Sequence, residues 1–151
     1  MTDRLWAVMV CLMLGAGGVG CRGGSGDAPR VALGTATCDA CRMTLTDARF
    51  VAVVADGKTE RAYDSIECLV RVWRASGEPV SDAIWLSDFD AQTLRRQSEL
   101  TLVHADYPSP MGGGYAAFAD RDHARAEAAS RNGEFGTLEE TIQNRLERSS
   151  R

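Results

Sequence analysis

RFVAVVADGKTERAYDSIECLVRVWRASG, residues 49–77, is the stretch that sets the architecture. Arg49 to Ala55 is rich in β-branched side chains and predicts a strand. Asp56-Gly57 is a hairpin turn signal, so Thr59 to Tyr63 should return alongside it. Asp64 then stands where it can cap a helix, with Glu67 three residues on as its reciprocal partner. Ile66, Leu69, Val70 and Trp73 follow the i, i+3, i+4, i+7 spacing of one apolar face, and Gly77 ends the helix. Ala83 to Phe89, with Ile84-Trp85-Leu86 at its centre, reads as a further strand.

Downstream the same order recurs. Leu100 to His104 predicts a strand, a Pro/Gly-rich link follows, and Tyr115 to Phe118 predicts a second strand. An Ala-rich helix spans about Asp120 to Asn132 and closes at Gly133, and Phe135 to Leu138 can add a short strand. Setting Ala62-Tyr63-Asp64 beside Ala117-Phe118-Ala119-Asp120 pairs the two runs. The expected fold class is therefore α+β, with two small similar strand-strand-helix-strand halves at about residues 37–92 and 98–140. Thr137 and Glu140 form another capping box, with Leu138, Ile142 and Leu146 at four-residue spacing. They predict a short helix leading into a polar tail, residues 141–151.

Upstream, Met1 to Arg4 are polar, Leu5 to Leu14 form an apolar run, and Gly15 to Gly20 are small residues ending at Cys21. This order is that of an export leader, residues 1–20, whose apolar part is too short for a stable span. Small residues running into a cysteine resemble a bacterial lipobox, which makes Cys21 the expected lipidated first residue. Residues 21–36 then read as a Gly/Ser/Pro tether that holds the domain, residues 37–140, off the membrane. The expected location is the periplasmic side of a bacterial membrane, lipid-anchored.

The 151 residues carry a formal charge of −4 and are 44% hydrophobic, enough for one small domain after a leader is removed. Lys58 is the lone lysine, and no segment gathers arginines into a basic stripe with interleaved aromatics. Nucleic acid is not an expected partner. No catalytic triad, phosphate loop or paired carboxylates stand out, so no enzyme activity is expected.

The chemistry concentrates in sulfur. Of five cysteines, Cys11 and Cys21 lie in or at the end of the leader, which leaves Cys38, Cys41 and Cys68. Three thiols cannot all pair. In Thr37-Cys38-Asp39-Ala40-Cys41-Arg42-Met43, Cys41 and Met43 project to one side if the backbone is extended. Met111 sits in Pro108-Ser109-Pro110-Met111-Gly112-Gly113-Gly114, where prolines stiffen one end of the loop and glycines admit close backbone on the other. Thiolate and thioether are soft donors, and soft donors select Cu(I).

Competing readings attach to the same residues. Cys38 and Cys41 can form a disulfide in a structural or partner-binding lipoprotein, or act as a dithiol-disulfide oxidoreductase. The latter prefers CxxC at the mouth of a βαβ unit, whereas Met43-Thr44-Leu45-Thr46-Asp47 leads towards strands. Structural zinc is disfavoured, because it needs four donors and His104 and His123 are not arranged beside the CxxC. Cys68 reads first as a buried inert thiol, with a ligand role second. His104 reads as a satisfied side chain before it reads as an auxiliary ligand.

Three stretches together resemble the NosL lipoproteins, accessory factors for assembly of nitrous oxide reductase. They are Cys38-Asp-Ala-Cys41-Arg-Met43, Tyr63-Asp64-Ser65-Ile66-Glu67-Cys68, and Pro110-Met111-Gly112-Gly113-Gly114-Tyr115-Ala116-Ala117-Phe118, downstream of a leader ending in Cys21. The resemblance implies a membrane-tethered copper chaperone that binds Cu(I) and passes it to nitrous oxide reductase or a similar exported copper enzyme, with that enzyme's assembly machinery as further partners. It maps metal ligands onto Cys41, Met43 and Met111, with Cys38 a weaker donor. Arg42 stands where the family usually has glycine.

Overall fold

The computed structural model describes residues 26–57, 59–77 and 80–149. The expected leader, the expected lipidation site Cys21 and the start of the expected tether lie outside the described residues.

Antiparallel pairing dominates. Strands β1 (Ala52–Ala55) and β2 (Glu60–Tyr63) form the hairpin announced by Asp56-Gly57, with Ala52 opposite Tyr63. Helix α1 (Ile66–Ser76) follows, then β3 (Ile84–Ser87), which pairs with the other edge of β1. A fourth strand, β4 (Leu94–Arg96), was not expected and pairs with β3, giving the order β2-β1-β3-β4. A 3₁₀ turn (Gln97–Glu99) leads to the second half. There β5 (Thr101–His104) and β6 (Tyr115–Phe118) pair, α2 (Arg121–Ser130) crosses, and β7 (Glu134–Gly136) returns to β5. The second sheet has the order β6-β5-β7, the counterpart of β2-β1-β3. The fold is α+β, with the strand-strand-helix-strand order and the strand sequence of each sheet repeated. Helix α3 (Leu138–Ser149) closes the chain.

One departure from expectation has a local cause. The β1 ladder starts at Ala52 rather than Arg49 because the Asp47 carboxylate accepts from both the Arg49 backbone N–H and its guanidinium, which holds a turn there. Helix α3 forms where the four-residue spacing of Leu138, Ile142 and Leu146 places it, with Ile142 buried and the expected capping box made in full. Thr137 N–H donates to Glu140 Oε2 at 2.9 Å, and Glu140 N–H donates to Thr137 Oγ1 at 3.1 Å.

The second sheet is buried on both faces, and its alternation shows how. Leu102, Tyr115 and Ala117 join a core with Ile66, Leu69 and Val70 of α1, with β1 and β3, and with Leu138 and Ile142 of α3. Their neighbours Val103, Ala116 and Phe118 face a smaller core closed by Ala124 and Ala128 of α2, together with Phe50 and Tyr107. Successive residues on a strand point to opposite faces, so one sheet serves both cores. Phe89 N–H donates to Ala117 O at 2.7 Å, beside a bridge from Asp88 to Ala117 that links the two sheets. Val31 and Ala36 also pack against the larger core, so this part of the expected tether lies on the body.

Gly77 ends α1 in the left-handed conformation, φ 70°, with its N–H donating to Trp73 O. A methyl group there meets no atom within 4 Å. Gly77→Ala should therefore cost only the conformational penalty, about 1 kcal/mol. It is expected as a lower urea midpoint at unchanged m-value.

Candidate metal centre

Three segments supply the site. Residues 38–43 form a tight turn: Cys38 N–H donates to Met43 O at 2.8 Å, Arg42 N–H donates to Cys38 O at 3.0 Å, and Thr37 bridges Thr44. Arg42 occupies φ 67°, which is how a non-glycine residue completes this turn. The turn is clipped to β2 because Asp39 N–H donates to Ala62 O at 2.9 Å while Asp39 Oδ2 accepts from Ala62 N–H at 3.1 Å. The end of β2 delivers Asp64, and the first turn of α1 delivers Cys68.

The result is a compact donor set. The Sγ atoms of Cys38, Cys41 and Cys68 and a carboxylate oxygen of Asp64 all lie within 4.8 Å of one another. Cys38, Asp64 and Cys68 are buried, at 0%, 2% and 1% exposure, and Cys41 is the partly exposed member through which the site meets solvent. All three cysteines are free thiols. A metal about 2.3 Å from each sulfur needs donors about 3.8 Å apart, so a small contraction suffices.

Hydrogen bonding ties the donors together. Cys41 Sγ donates to Asp64 Oδ2 at 3.4 Å, and Arg71 approaches Cys68 Sγ at 3.9 Å from the next turn of the helix. Burial pushes the Cys41 thiol up, opposed by the Met43 backbone N–H. Burial pushes Cys68 up much further, helped by its bond to Asp64 and by the nearness of Cys38. In the metal-free protein both are therefore protonated at neutral pH.

Asp64 does not cap α1 as the sequence suggested. The N-cap is Ser65, without a side-chain bond, because Asp64 turns to Cys41 and Glu67 is taken by Ser109 Oγ of the Pro-Met-Gly loop. Sequence reasoning missed Asp64 as a donor and ranked the ligand role of Cys68 second. The available signal was their i, i+4 spacing, which puts both on one side of the entry to a helix.

Met43 and Met111 are 50% and 38% exposed. Met43 belongs to the same turn as Cys38 and Cys41. Met111 lies on a loop seated against the first turn of α1, where Ser109 bonds Glu67 and Gly113 packs on the Glu67 side chain. The His104 ring packs at a tilt on Tyr115, and His123 pairs with Asp90 at 2.8 Å; neither histidine is among the clustered donors.

No protein-family profile matches the chain, and no curated protein matches it in sequence. Its structure does have a counterpart: the crystal structure of the copper chaperone NosL from Shewanella denitrificans superposes with a TM-score of 0.61, over 75% of this chain and 95% of that one, at 14% identity. The chain has the NosL fold. The resemblance read from the sequence thus extends to the path of the backbone, and that NosL is described as a copper chaperone. Among the described residues no helix is long and apolar enough to cross a membrane.

Proposed function

We propose that the protein is a lipid-anchored, exported Cu(I) carrier that hands its ion to nitrous oxide reductase or a similar copper enzyme. The observation that carries this reading is the convergence of three thiols and a carboxylate within 4.8 Å on the NosL fold. Thiolates select Cu(I), and the partly exposed Cys41 leaves a route in and out. Met43 and Met111, exposed and soft, act as the outer donors that an incoming partner meets first. Attachment through Cys21 would hold the carrier at the membrane where its acceptor is loaded.

An oxidoreductase role fits less well. Reactive dithiols have depressed thiol pKa values, whereas burial raises those of Cys41 and Cys68.

Anaerobic Cu(I) competition on the reduced protein, with each sulfur removed in turn, tests the reading. Removing an outer partner of a metal site costs about 10–100-fold in affinity, so Cys38→Ser, Cys41→Ser and Cys68→Ser should each cost on the order of 100-fold or more. Met43→Leu and Met111→Leu should cost about tenfold. Unchanged Cu(I) affinity in all three cysteine variants would remove the carrier reading.

A further inference from the structure

The last part of the expected tether belongs to the body. Pro29, Val31 and Leu33 form, with Ala48, Val51 and Leu94, the apolar walls of a groove of about 330 Å³. Arg30 also lines it, and no acidic side chain does. Beside the groove Leu33 is 44% exposed. Other exposed large apolar side chains have evident employment: Phe135 lies under the Arg125 guanidinium, and Met43 and Met111 flank the metal centre. Leu33 has none of that kind. We infer that Leu33 and this groove are the face on which the domain rests against a phospholipid surface, with the apolar walls towards acyl chains and Arg30 towards a headgroup phosphate. The inference rests on attachment through Cys21 as proposed above, and names what that attachment presses against the bilayer.

Chain length supports this first. Ala28 already lines the groove, and the covalent path from Cys21 to Ala28, even fully extended, spans no more than about 25 Å. A lipid on Cys21 therefore keeps the bilayer close to this face. Magnitudes come next. Leu33 is already more than half buried, so moving the rest of it out of water is worth about tenfold at most, too little to bind a membrane from solution. A short covalent link changes that, because it supplies an effective concentration in the millimolar range, at which so weak a contact is occupied. One cation over apolar walls suits a phosphodiester headgroup above hydrocarbon. Orientation is the consequence. Gly34 N–H donates to Leu45 O at 2.8 Å and Thr37 bridges Thr44, so Leu33 stands at the base of a hairpin that carries the CxxC turn at its tip. Resting on Leu33 puts that turn at the far end of the hairpin from the lipid, open to a partner.

The test is photo-cross-linking of the protein as the cell exports it, in nanodiscs of phosphatidylethanolamine and phosphatidylglycerol. Leu33, Met111 and Phe135 are replaced one at a time by the photoreactive p-benzoylphenylalanine, and mass spectrometry counts phospholipid adducts. Position 33 should give about fivefold more adduct than positions 111 and 135, and Cys21→Ser should lower it about tenfold or more by removing the link. Hydrogen exchange reads the same contact without altering Leu33: amides of residues 28–33 should exchange more slowly in the nanodisc than in the Cys21→Ser protein free in solution. Adducts mainly at position 111 or 135, or exchange at residues 28–33 that is indifferent to the bilayer, would overturn the inference while leaving the anchor intact. The mass of the same samples shows whether Cys21 carries lipid. An unmodified Cys21 would sink the anchoring reading itself, and this inference with it.

Discussion

Cu(I) affinity is expected to fall about a thousandfold for each unit by which pH is lowered, because each cysteine that binds as thiolate must first surrender a proton, a factor of about ten per pH unit per thiol. The sign follows from burial. It holds the thiols of Cys41 and Cys68 above their ordinary pKa, so at neutral pH these protons remain on the free protein and are expelled by the metal. The dependence should flatten only as pH rises towards the thiol pKa values, above about 8.5. Were Cys41 the sole thiolate, with Met43 and Met111 completing the set, the slope would be about tenfold per unit, since thioethers carry no proton. Competition against a Cu(I) chelator of known protonation, repeated between about pH 6 and pH 8, counts the thiolates directly. A slope near one decade would exclude Cys38 and Cys68 as ligands.

Gly114→Ala should destabilise the fold by about 3 kcal/mol or more, on the order of 10 °C in Tm. Gly114 is left-handed, φ 73°, and a methyl group built on it would lie 2.1 Å from the carbonyl oxygen of Ala105. That obstacle is backbone, and Ala105 N–H is itself bonded to Gly114 O at 2.9 Å, so neither strand end can yield without losing the pairing that closes the Pro-Met-Gly loop. Gly77→Ala shares the left-handed geometry but meets open space, so the difference between the two variants isolates the steric part. Thermal unfolding of both checks it, and equal losses would mean that the loop relaxes freely.

Much of the fold was legible because its signals are local. The Asp56-Gly57 hairpin, the Gly77 stop, the start of α2 near Asp120 and the Thr137–Glu140 box each need only residues within four positions. Strand β4 was hidden because Leu94-Arg95-Arg96 has no strand pattern of its own and is held by its ladder to β3. The apparent Asp64–Glu67 capping box failed for the same kind of reason: distant partners, Cys41 and Ser109, outbid the local ones. The metal centre required the most non-local information. Cys38-Asp-Ala-Cys41 announced itself, but only the closure of β2 against the CxxC turn shows that Cys68, legible as a buried thiol, has its sulfur beside the other two.

All four donors come from the first half of the chain, yet the helix that carries Cys68 packs on both halves. Helix α1 packs on β1 and β2 of its own half and also on β6, shares a core with Tyr115 and Ala117, and holds Ser109 through Glu67, while the turn that carries Cys38 and Cys41 is fastened to β2. The first turn of α1, and Cys68 with it, is therefore held from two sides, by β1 and β2 beneath the CxxC turn and by Ser109 and β6 of the second half, so the donor geometry is set by the docking of one half on the other.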